Sequence, residues 1–382
     1  MSRSLVSVPP IANGRSSHVV RRSRRVIGWA CGSFIAFHLA LALAGGPPRL
    51  GWRDPEFAAK LACLRARLRE DSARPLVLML GSSRTSVGLA PRHVASGTLL
   101  DGCEPLVFNL GMAGHGPVQE LMALRRLLRW GIRPRHVLVE VHPALLHQEP
   151  GGYSEEAWMP DEHLDDDDRE LLGRYWSRPH DRPRGQLLAK CERFDYLRRT
   201  TAGWLENRWW YDCAKWIDAH GWWPWPVDGP SDDDRRRATD RTRLEYAAAM
   251  DRFRVTALAD CAVRELLDVC GREGIHAALY LMPEGTSFQD WYPPGARGEI
   301  EAYLAELSSE YGASVFDATT WCADDDFADG HHLLREPATH FSERFGREVV
   351  RPWLAAPADR ALLGAAPGAN ARQYTANGRP RH

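Results

Sequence analysis

The sequence predicts a three-layer α/β/α protein with a five-stranded parallel sheet, preceded by one transmembrane helix. Its 382 residues are 44% hydrophobic and 26% charged, values near the average of globular domains that exclude a mostly disordered or polytopic membrane protein. After residue 50, short apolar runs alternate with longer amphipathic stretches, a pattern typical of parallel sheets whose strands are connected by helices. A single long apolar run near the N-terminus supplies the membrane prediction.

The long apolar run extends from Val26 to Ala44, which is long enough for a helix to span a bilayer. Residues 1–25 contain six arginines and no acidic residue, and such positive clusters stay in the cytoplasm. We therefore expect a cytoplasmic basic N-terminus at 1–25, a single-pass signal anchor at 26–45 in the inner (cytoplasmic) membrane, and an extracytoplasmic or periplasmic domain after it. A cleaved signal peptide and a twin-arginine signal are alternatives that export the same domain.

Apolar runs and amphipathic stretches predict the elements in chain order. The first strand, Pro75 to Leu80, is expected to be buried on both faces because every residue in it is apolar. The other predicted strands are 106–110, 136–141, 276–282 and 314–317, and the predicted helices are 54–70, 117–130, 241–270, 298–310 and 337–353. The α/β domain is thus expected in two parts, 50–147 and 241–355, with an insertion at 148–240 and a disordered tail at 356–382.

The insertion at 148–240 is rich in tryptophan, with eight of the chain's 15 tryptophans between Trp176 and Trp225. These rings either pack a small lobe that lacks a regular sheet, or they form a binding wall that stacks on sugar rings or acyl chains. In the second case we expect the insertion to overhang the carboxyl edge of the sheet near Ser83. The rings exposed toward the cleft would come from the set Trp209, Trp210, Trp222, Trp223 and Trp225, of which the last three are candidate substrate-binding residues together with Arg84.

The residues that can carry chemistry follow strands, at the edge where ligands bind in open α/β sheets. Directly after the first strand, Gly81 to Ser86 (GSSRTS) forms a small-residue turn that would present a hydroxyl. After the fifth strand, Asp329 and His332 are three residues apart, so one turn can aim both at that hydroxyl. A serine nucleophile requires an imidazole as base and a carboxylate that fixes the imidazole tautomer. The alternatives are a helix N-cap for the serine turn, and a solvated loop or an adventitious metal site for the two adjacent histidines.

Three sequence blocks resemble those of the SGNH/GDSL hydrolase superfamily. Gly81-Ser82-Ser83-Arg84 resembles the first block, Asn109-Leu110-Gly111-Met112-Ala113-Gly114 the second, and Asp329-x-x-His332 the last. Within the superfamily, the predicted anchor and the form of these blocks look most like the membrane-anchored SGNH-like proteins that work beside membrane-bound O-acyltransferases in envelope polysaccharide O-acetylation. The resemblance implies an SGNH or flavodoxin-like sheet, with Ser83 as nucleophile, His332 as base and Asp329 as the acid that orients the base.

The third block departs from the family pattern. Where the superfamily has an oxyanion asparagine after the third strand, this chain has Glu140-Val141-His142. An oxyanion hole would then rest on the backbone N–H groups of Ser83 and Gly114, helped by Asn109 or Arg84. Losing one donor from such a hole typically costs about 10²- to 10³-fold in rate.

The remaining composition limits cofactors and partners. No cofactor and no metal are expected, because the chain has no C-x-x-C motif and no Cys/His spacing typical of zinc. The seven cysteines beyond Cys31 are interpreted as small buried residues with one or two disulfides and at least one unpaired thiol. Because the basic residues concentrate in the N-terminal segment and leave the rest acidic, nucleic acid is not expected as a partner.

The function expected from these observations is the transfer or removal of an acyl group, with acetyl as the first choice, on an envelope or secreted glycan. The reaction would proceed through an acyl-enzyme on Ser83, with a membrane-bound O-acyltransferase as a partner. The alternative is a non-catalytic glycan-binding or scaffolding protein of polysaccharide biosynthesis or export, in which the SGNH site is degenerate.

Overall fold

The chain divides into two units, Met1–Arg49 and Leu50–His382. The computed structural model describes residues 26–37, 54–149, 154–159, 163–176, 214–226 and 229–356. The predicted basic segment 1–25, much of the insertion and the tail beyond residue 356 therefore lie outside the described residues.

In the first unit, residues 26–37 form a helix with exposed side chains, among them Trp29 and Phe34. No helix in the described part of the chain is both long and apolar enough to cross a membrane. The end of the predicted anchor, residues 38–45, lies outside the described residues, so the anchor stays a prediction.

The second unit is built on a five-stranded sheet in which every strand is parallel to its neighbours. The strands are β1 (Leu76–Leu80), β2 (Leu106–Asn109), β3 (His136–Glu140), β4 (His276–Leu281) and β5 (Ser314–Asp317). They lie in the order β2-β1-β3-β4-β5, which is the order of doubly wound flavodoxin-like sheets. The predicted α/β class, strand number and parallel direction are confirmed.

Helices connect the strands. The described helices of this unit are α1 (Pro55–Glu70), α2 (Ser83–Gly88), α3 (Pro91–Ala95), α4 (Pro117–Arg129), α5 (Pro143–Leu146), α6 (Asp166–Leu172), α7 (Asp232–Asp251), α8 (Ala257–Glu273), α9 (Thr286–Gln289), α10 (Ala296–Tyr311), α11 (Arg335–Phe345) and α12 (Arg351–Ala355). Short 3₁₀ turns occur at Glu155–Trp158, Ala214–Trp216 and Asp324–Asp326. A π-helical turn at Gly346–Val350 joins α11 to α12, where the sequence predicts one continuous helix.

Alternate residues of β1 pack into two separate cores, as expected for a strand buried on both faces. Leu78 lies in the core that includes Phe57 of α1 and Leu121 of α4. Met79 lies in the core that includes Phe341 of α11. Helices therefore cover both faces of the sheet, and only its edges and strand ends are left for a site.

The helix predicted at 241–270 is instead two helices, and the first of them begins inside the interval assigned to the insertion. The break falls between α7 and α8, where Val255 and Thr256 bond to distant partners. The Val255 amide donates to the Glu299 carboxylate at 2.7 Å, and the Thr256 amide and hydroxyl donate to the Leu146 carbonyl at 3.0 and 3.1 Å. Because these donors are used by tertiary contacts, the helical ladder cannot continue through them.

Candidate active site

The serine turn lies where the strand order reverses. The chain after β1 runs to β2 on one side of it and, later, to β3 on the other. In open α/β sheets this switch point leaves a crevice at the carboxyl ends of the strands, and ligands bind there. Ser83 is the first residue of α2 and follows β1 after only two residues, so its half-buried side chain lies at that crevice.

The turn that presents Ser83 is held by a buried carboxylate. Glu140, the last residue of β3, accepts hydrogen bonds from the Ser82 amide at 2.8 Å and from the Thr85 hydroxyl at 2.6 Å. The Ser82 hydroxyl also bonds to Glu140 and in turn accepts the Arg84 amide at 3.1 Å, which caps α2. A Cβ at Gly81 would lie 2.2 Å from the Thr85 hydroxyl oxygen, so only glycine fits at this position.

Ser83, His332 and Asp329 form a continuous hydrogen-bonded chain. His332 Nε2 lies 2.8 Å from Ser83 Oγ, and His332 Nδ1 lies 2.8 Å from Asp329 Oδ2. The other carboxylate oxygen, Asp329 Oδ1, accepts the backbone amides of His332 at 2.9 Å and His331 at 3.3 Å. Because Asp329 is an acceptor only, the proton of a neutral His332 lies on Nδ1, and Nε2 is free to accept the proton of the serine.

The electrostatic surroundings of these three residues favour an ionised Asp329. Burial acts to raise the pKa of its carboxyl, but His332 and His331 and the hydrogen bonds from His332 outweigh burial and hold the pKa well below its usual value. Glu245 of α7 lies close enough to His332 and Asp329 to interact with both. Burial raises the pKa of Glu245, with His332 opposing the rise and Asp329 adding to it.

The loop that carries the acid and the base is fixed by backbone contacts. Phe327 and Leu333 form an antiparallel bridge, and the Ala328 amide donates to the His332 carbonyl at 2.9 Å. Gly330 has a φ of 88°, a left-handed conformation that glycine adopts without strain. The Gly330 carbonyl accepts the Gly285 amide at 2.8 Å, so the loop is tied to the chain that follows β4.

The structure corrects the role expected for Arg84. Its side chain is completely buried, with Nη1 donating to Glu284 at 3.0 Å and Nη2 to the carbonyls of Met282 and Pro283 at 2.9 and 3.0 Å. Its Nε lies 3.7 Å from Glu140. The guanidinium group therefore lies in the protein interior, where it neutralises two buried carboxylates. Arg84 is therefore not available to bind substrate or an oxyanion.

The side chain of Asn109, expected to help the oxyanion hole, is also committed to the fold. Its amide group donates to the carbonyls of Thr85 and Leu89, both at 2.7 Å, and its oxygen accepts the Gly111 amide at 2.9 Å. Gly114 has a φ of 70°, and a Cβ there would lie 2.6 Å from Cβ of Trp158. Asn109 thus shapes the loop that carries Gly114, and backbone amides remain as the candidate oxyanion donors.

Of the five tryptophans expected near the cleft, three lie in the described part of the chain. Trp209 and Trp210 lie outside the described residues. Trp222 donates its indole N–H to the Val87 carbonyl at 2.8 Å. Trp223 is 8% exposed, so it is not one of the rings exposed toward a cleft, and its amide donates to the Ser86 carbonyl and fixes the segment beside α2.

Trp225 contacts the proposed base directly. Its ring stacks on His332 with centroids 5.1 Å apart and an interplanar angle of 24°. The part of the insertion around residues 217–226 therefore lies against α2 and His332, and the contact of Trp225 is with the imidazole.

A buried aromatic cluster lies behind the base. His331 packs edge-on against Tyr246 and Phe288, with centroids 5.4 and 5.2 Å apart, and lies 6.5 Å from His142. His142 lies 3.3 Å from Arg84 and 3.4 Å from the Tyr246 hydroxyl. Burial, assisted by electrostatic interaction with His332, lowers the pKa of His331 well below its usual value, although Asp329 opposes the shift.

In the described part of the chain, one group of side chains has donor atoms close enough to hold a metal ion. It consists of Asp329, His331 and His332, whose ligand atoms lie within 4.8 Å of one another.

The six described cysteines are all free thiols, and the two others, Cys191 and Cys213, lie outside the described residues.

No family model matches the chain, and no curated protein matches it significantly.

The sequence alone missed Glu140, Glu284 and Tyr246, which surround the serine turn and the base from β3, from the chain after β4 and from α7. A signal for Glu140 was present, because an acidic residue closes an otherwise apolar strand next to the serine turn.

Proposed function

We propose that the protein is a serine-dependent acyl-ester enzyme that transfers or removes an acyl group, acetyl first, on an envelope or secreted glycan. The observation that carries this proposal is the hydrogen-bonded chain Ser83–His332–Asp329, with both side-chain contacts at 2.8 Å. A base within 2.6–3.2 Å of the nucleophile, itself oriented by a carboxylate, is the arrangement that serine acyl transfer requires.

The reaction begins when His332 Nε2 accepts the proton of Ser83 Oγ as the oxygen attacks the acyl carbonyl. Asp329 stabilises the imidazolium that forms, because its carboxylate already bonds to Nδ1. His332 then returns the proton to the departing glycan oxygen, which leaves the acyl group on Ser83. A water molecule or an acceptor hydroxyl, deprotonated by the same imidazole, releases the acyl group and restores the serine.

The oxyanion that develops in each step needs donors other than side-chain amides. Because Asn109 and Arg84 are bonded within the fold, the proposal assigns this role to the backbone N–H groups of Ser83 and Gly114. The Ser83 amide lies in the first turn of α2, where helical geometry provides no acceptor within the helix.

The choice between hydrolysis and transfer depends on how the acceptor is held. Water at about 55 M competes for an acyl-enzyme, whereas a positioned hydroxyl can reach an effective molarity of roughly 10⁵ M or more. Aromatic side chains from the insertion, Trp158 beside Gly114 and Trp225 beside His332, flank the proposed site and provide flat surfaces for a sugar ring. The proposal includes an extracytoplasmic location on an SGNH-like, membrane-anchored chain, with a membrane-bound O-acyltransferase as donor partner.

The test compares Ser83→Ala, His332→Ala and the double variant with His340→Ala, a matched control because His340 is exposed on α11. We expect either single change to abolish most hydrolysis of a small acetyl ester, and the double variant to be little worse, because the two residues act as one unit. A fluorophosphonate probe should label the wild type and the His340 control at Ser83 and leave Ser83→Ala unlabelled.

Transfer is measured separately by mass spectrometry of an oligosaccharide incubated with an acetyl donor. Full esterase activity in Ser83→Ala would refute the nucleophile. A wild-type chain that neither reacts with the probe nor turns over an ester, yet binds the oligosaccharide, would establish the non-catalytic alternative instead.

A further inference from the structure

His331 is buried beside the proposed base without a hydrogen-bond partner. The residue is 3% exposed, and neither ring nitrogen is hydrogen-bonded in the described structure. Its neighbours are the rings of Tyr246, Phe288, His142 and His332, and the centroid of His332 lies only 3.9 Å away. Buried polar atoms nearly always have partners, so two unpartnered nitrogens in one imidazole indicate a missing ligand.

The carboxylate of Asp329 lies at a distance from His331 that a shared metal ion can bridge. Nδ1 of His331 lies 4.0 Å from Asp329 Oδ1, too far for a hydrogen bond. A zinc ion bonds to imidazole nitrogen at about 2.0–2.1 Å and to carboxylate oxygen at about 2.0–2.2 Å, so an ion between these two atoms spans the distance. One ring nitrogen of His332 completes a group whose ligand atoms all lie within 4.8 Å of one another. We assign this role to Nδ1, because it is the nitrogen that faces Asp329, whereas Nε2 faces Ser83.

We propose that Asp329, His331 and His332 form a zinc-binding site whose occupation switches off the proposed serine chemistry. The inhibition rests on the proposed function, whereas zinc binding itself does not. Two imidazole nitrogens and a carboxylate suit zinc better than the hard cations magnesium and calcium, which prefer oxygen ligands.

The inhibition follows from the tautomer of His332. Without metal, the proton of the neutral ring lies on Nδ1 and is donated to Asp329, so the lone pair on Nε2 faces Ser83. A metal binds the lone pair of Nδ1, so the Nδ1–H bond must break and an N–H bond must form at Nε2. The ring stays neutral, a zinc–nitrogen bond replaces a zinc–water bond, and Nε2 can no longer accept the proton of Ser83.

The experiment titrates Zn²⁺ against the initial rate of acetyl-ester hydrolysis, with each rate normalised to the zinc-free rate of the same variant. The variants are His331→Phe, which keeps a ring in the aromatic cluster, His331→Gln, which keeps a polar group, and His340→Gln as the surface control. We expect reversible inhibition of the wild type and of the control that a chelator removes. The half-inhibiting zinc concentration should rise at least ~10-fold in both His331 variants, because each loses a ligand.

A second measurement separates the zinc site from the proposed function. Dialysis of Ser83→Ala against Zn²⁺, followed by elemental analysis, should retain one ion per chain that the double variant Ser83→Ala/His331→Phe loses. Zinc retention by Ser83→Ala together with an inactive wild type would support the site and refute the enzyme. Equal zinc inhibition of the wild type and the His331 variants, an esterase insensitive to zinc, or an esterase that requires zinc would each overturn the switch.

Discussion

Replacing Asp329 with asparagine should disable the proposed base while leaving the fold intact. In the native loop, Oδ1 accepts two backbone amides, those of His332 and His331, and Oδ2 faces Nδ1 of His332. The asparagine oxygen must stay where the two amides point, because an NH₂ group there would face two other donors. Its NH₂ group is then directed at His332 Nδ1, which can only accept a hydrogen bond from it.

The size of the effect follows from this change of tautomer. A His332 ring that accepts at Nδ1 carries its proton on Nε2, and Nε2 then presents a donor to Ser83 in place of a lone pair. The same substitution in a serine protease triad lowers kcat by about 10⁴-fold, which corresponds to about 5 kcal/mol of transition-state stabilisation. We expect a loss of that order for Asp329→Asn, with KM for a small ester nearly unchanged because the carboxylate does not touch the substrate.

The assay is steady-state hydrolysis of an acetyl ester, with circular dichroism and thermal unfolding as checks that the variant folds. Asp326→Asn is the matched control: Asp326 lies in the turn before the loop and its carboxylate only accepts the Ala323 amide at 2.8 Å. Asp329→Asn activity within about tenfold of wild type would refute the assignment of Asp329, and an equal loss in both variants would attribute the effect to loop structure.

Three further outcomes are expected. Arg84→Met should lower the free energy of unfolding in urea by about 3–5 kcal/mol, because it leaves two buried carboxylates unpaired, whereas the exposed-site change Arg344→Met should have little effect. Burial lowers the pKa of His115 and of His136 to about 3 in the folded state, so at these two sites the unfolded chain binds more protons than the folded chain between about pH 3 and 6.5. The urea midpoint of the wild type should therefore fall more steeply than that of His136→Gln as the pH decreases from 6.5 toward 3, and equal slopes would contradict this. Trp225→Leu should slow hydrolysis even of a small ester by about two- to tenfold, since the ring packs on the base; loss of glycan transfer alone would show that the indole binds the acceptor.

The sheet could be predicted because its strands are short apolar runs separated by clear helical patterns. The five residues of β1 are all apolar and all buried, and each of the other predicted strands overlaps the observed one. The proximity of Ser83 to His332 could also be predicted, because both follow strands of one parallel sheet and the carboxyl ends of such strands meet at one edge. The helical break between α7 and α8 could not be predicted, because the N–H and O–H donors of Val255 and Thr256 bond to residues distant in sequence.

The role of Arg84 could not be predicted from the local sequence, for a similar reason. A charged residue next to a proposed nucleophile is typical of a substrate contact, and only the folded chain shows that its partners are Glu140 at the end of β3 and Glu284 in the chain after β4. Asn109 was assigned to the oxyanion hole from its block, yet its side-chain NH₂ group already donates to two backbone carbonyls and has no N–H left for an oxyanion. Local sequence identifies a polar group, but the set of its partners is a property of the tertiary structure.

The missing asparagine of the third block has a structural counterpart in Glu140. An acid at the end of β3 binds the serine turn through the amide of Ser82 and the hydroxyls of Ser82 and Thr85, whereas an oxyanion donor at this position would have to face the substrate. A carboxylate cannot stabilise an oxyanion, because it carries the same charge, so its burial beneath the turn and its pairing with Arg84 keep that charge out of the cleft. The end of β3 thus positions the proposed nucleophile, and in the proposed reaction the backbone amides of Ser83 and Gly114 are left to stabilise the transition state.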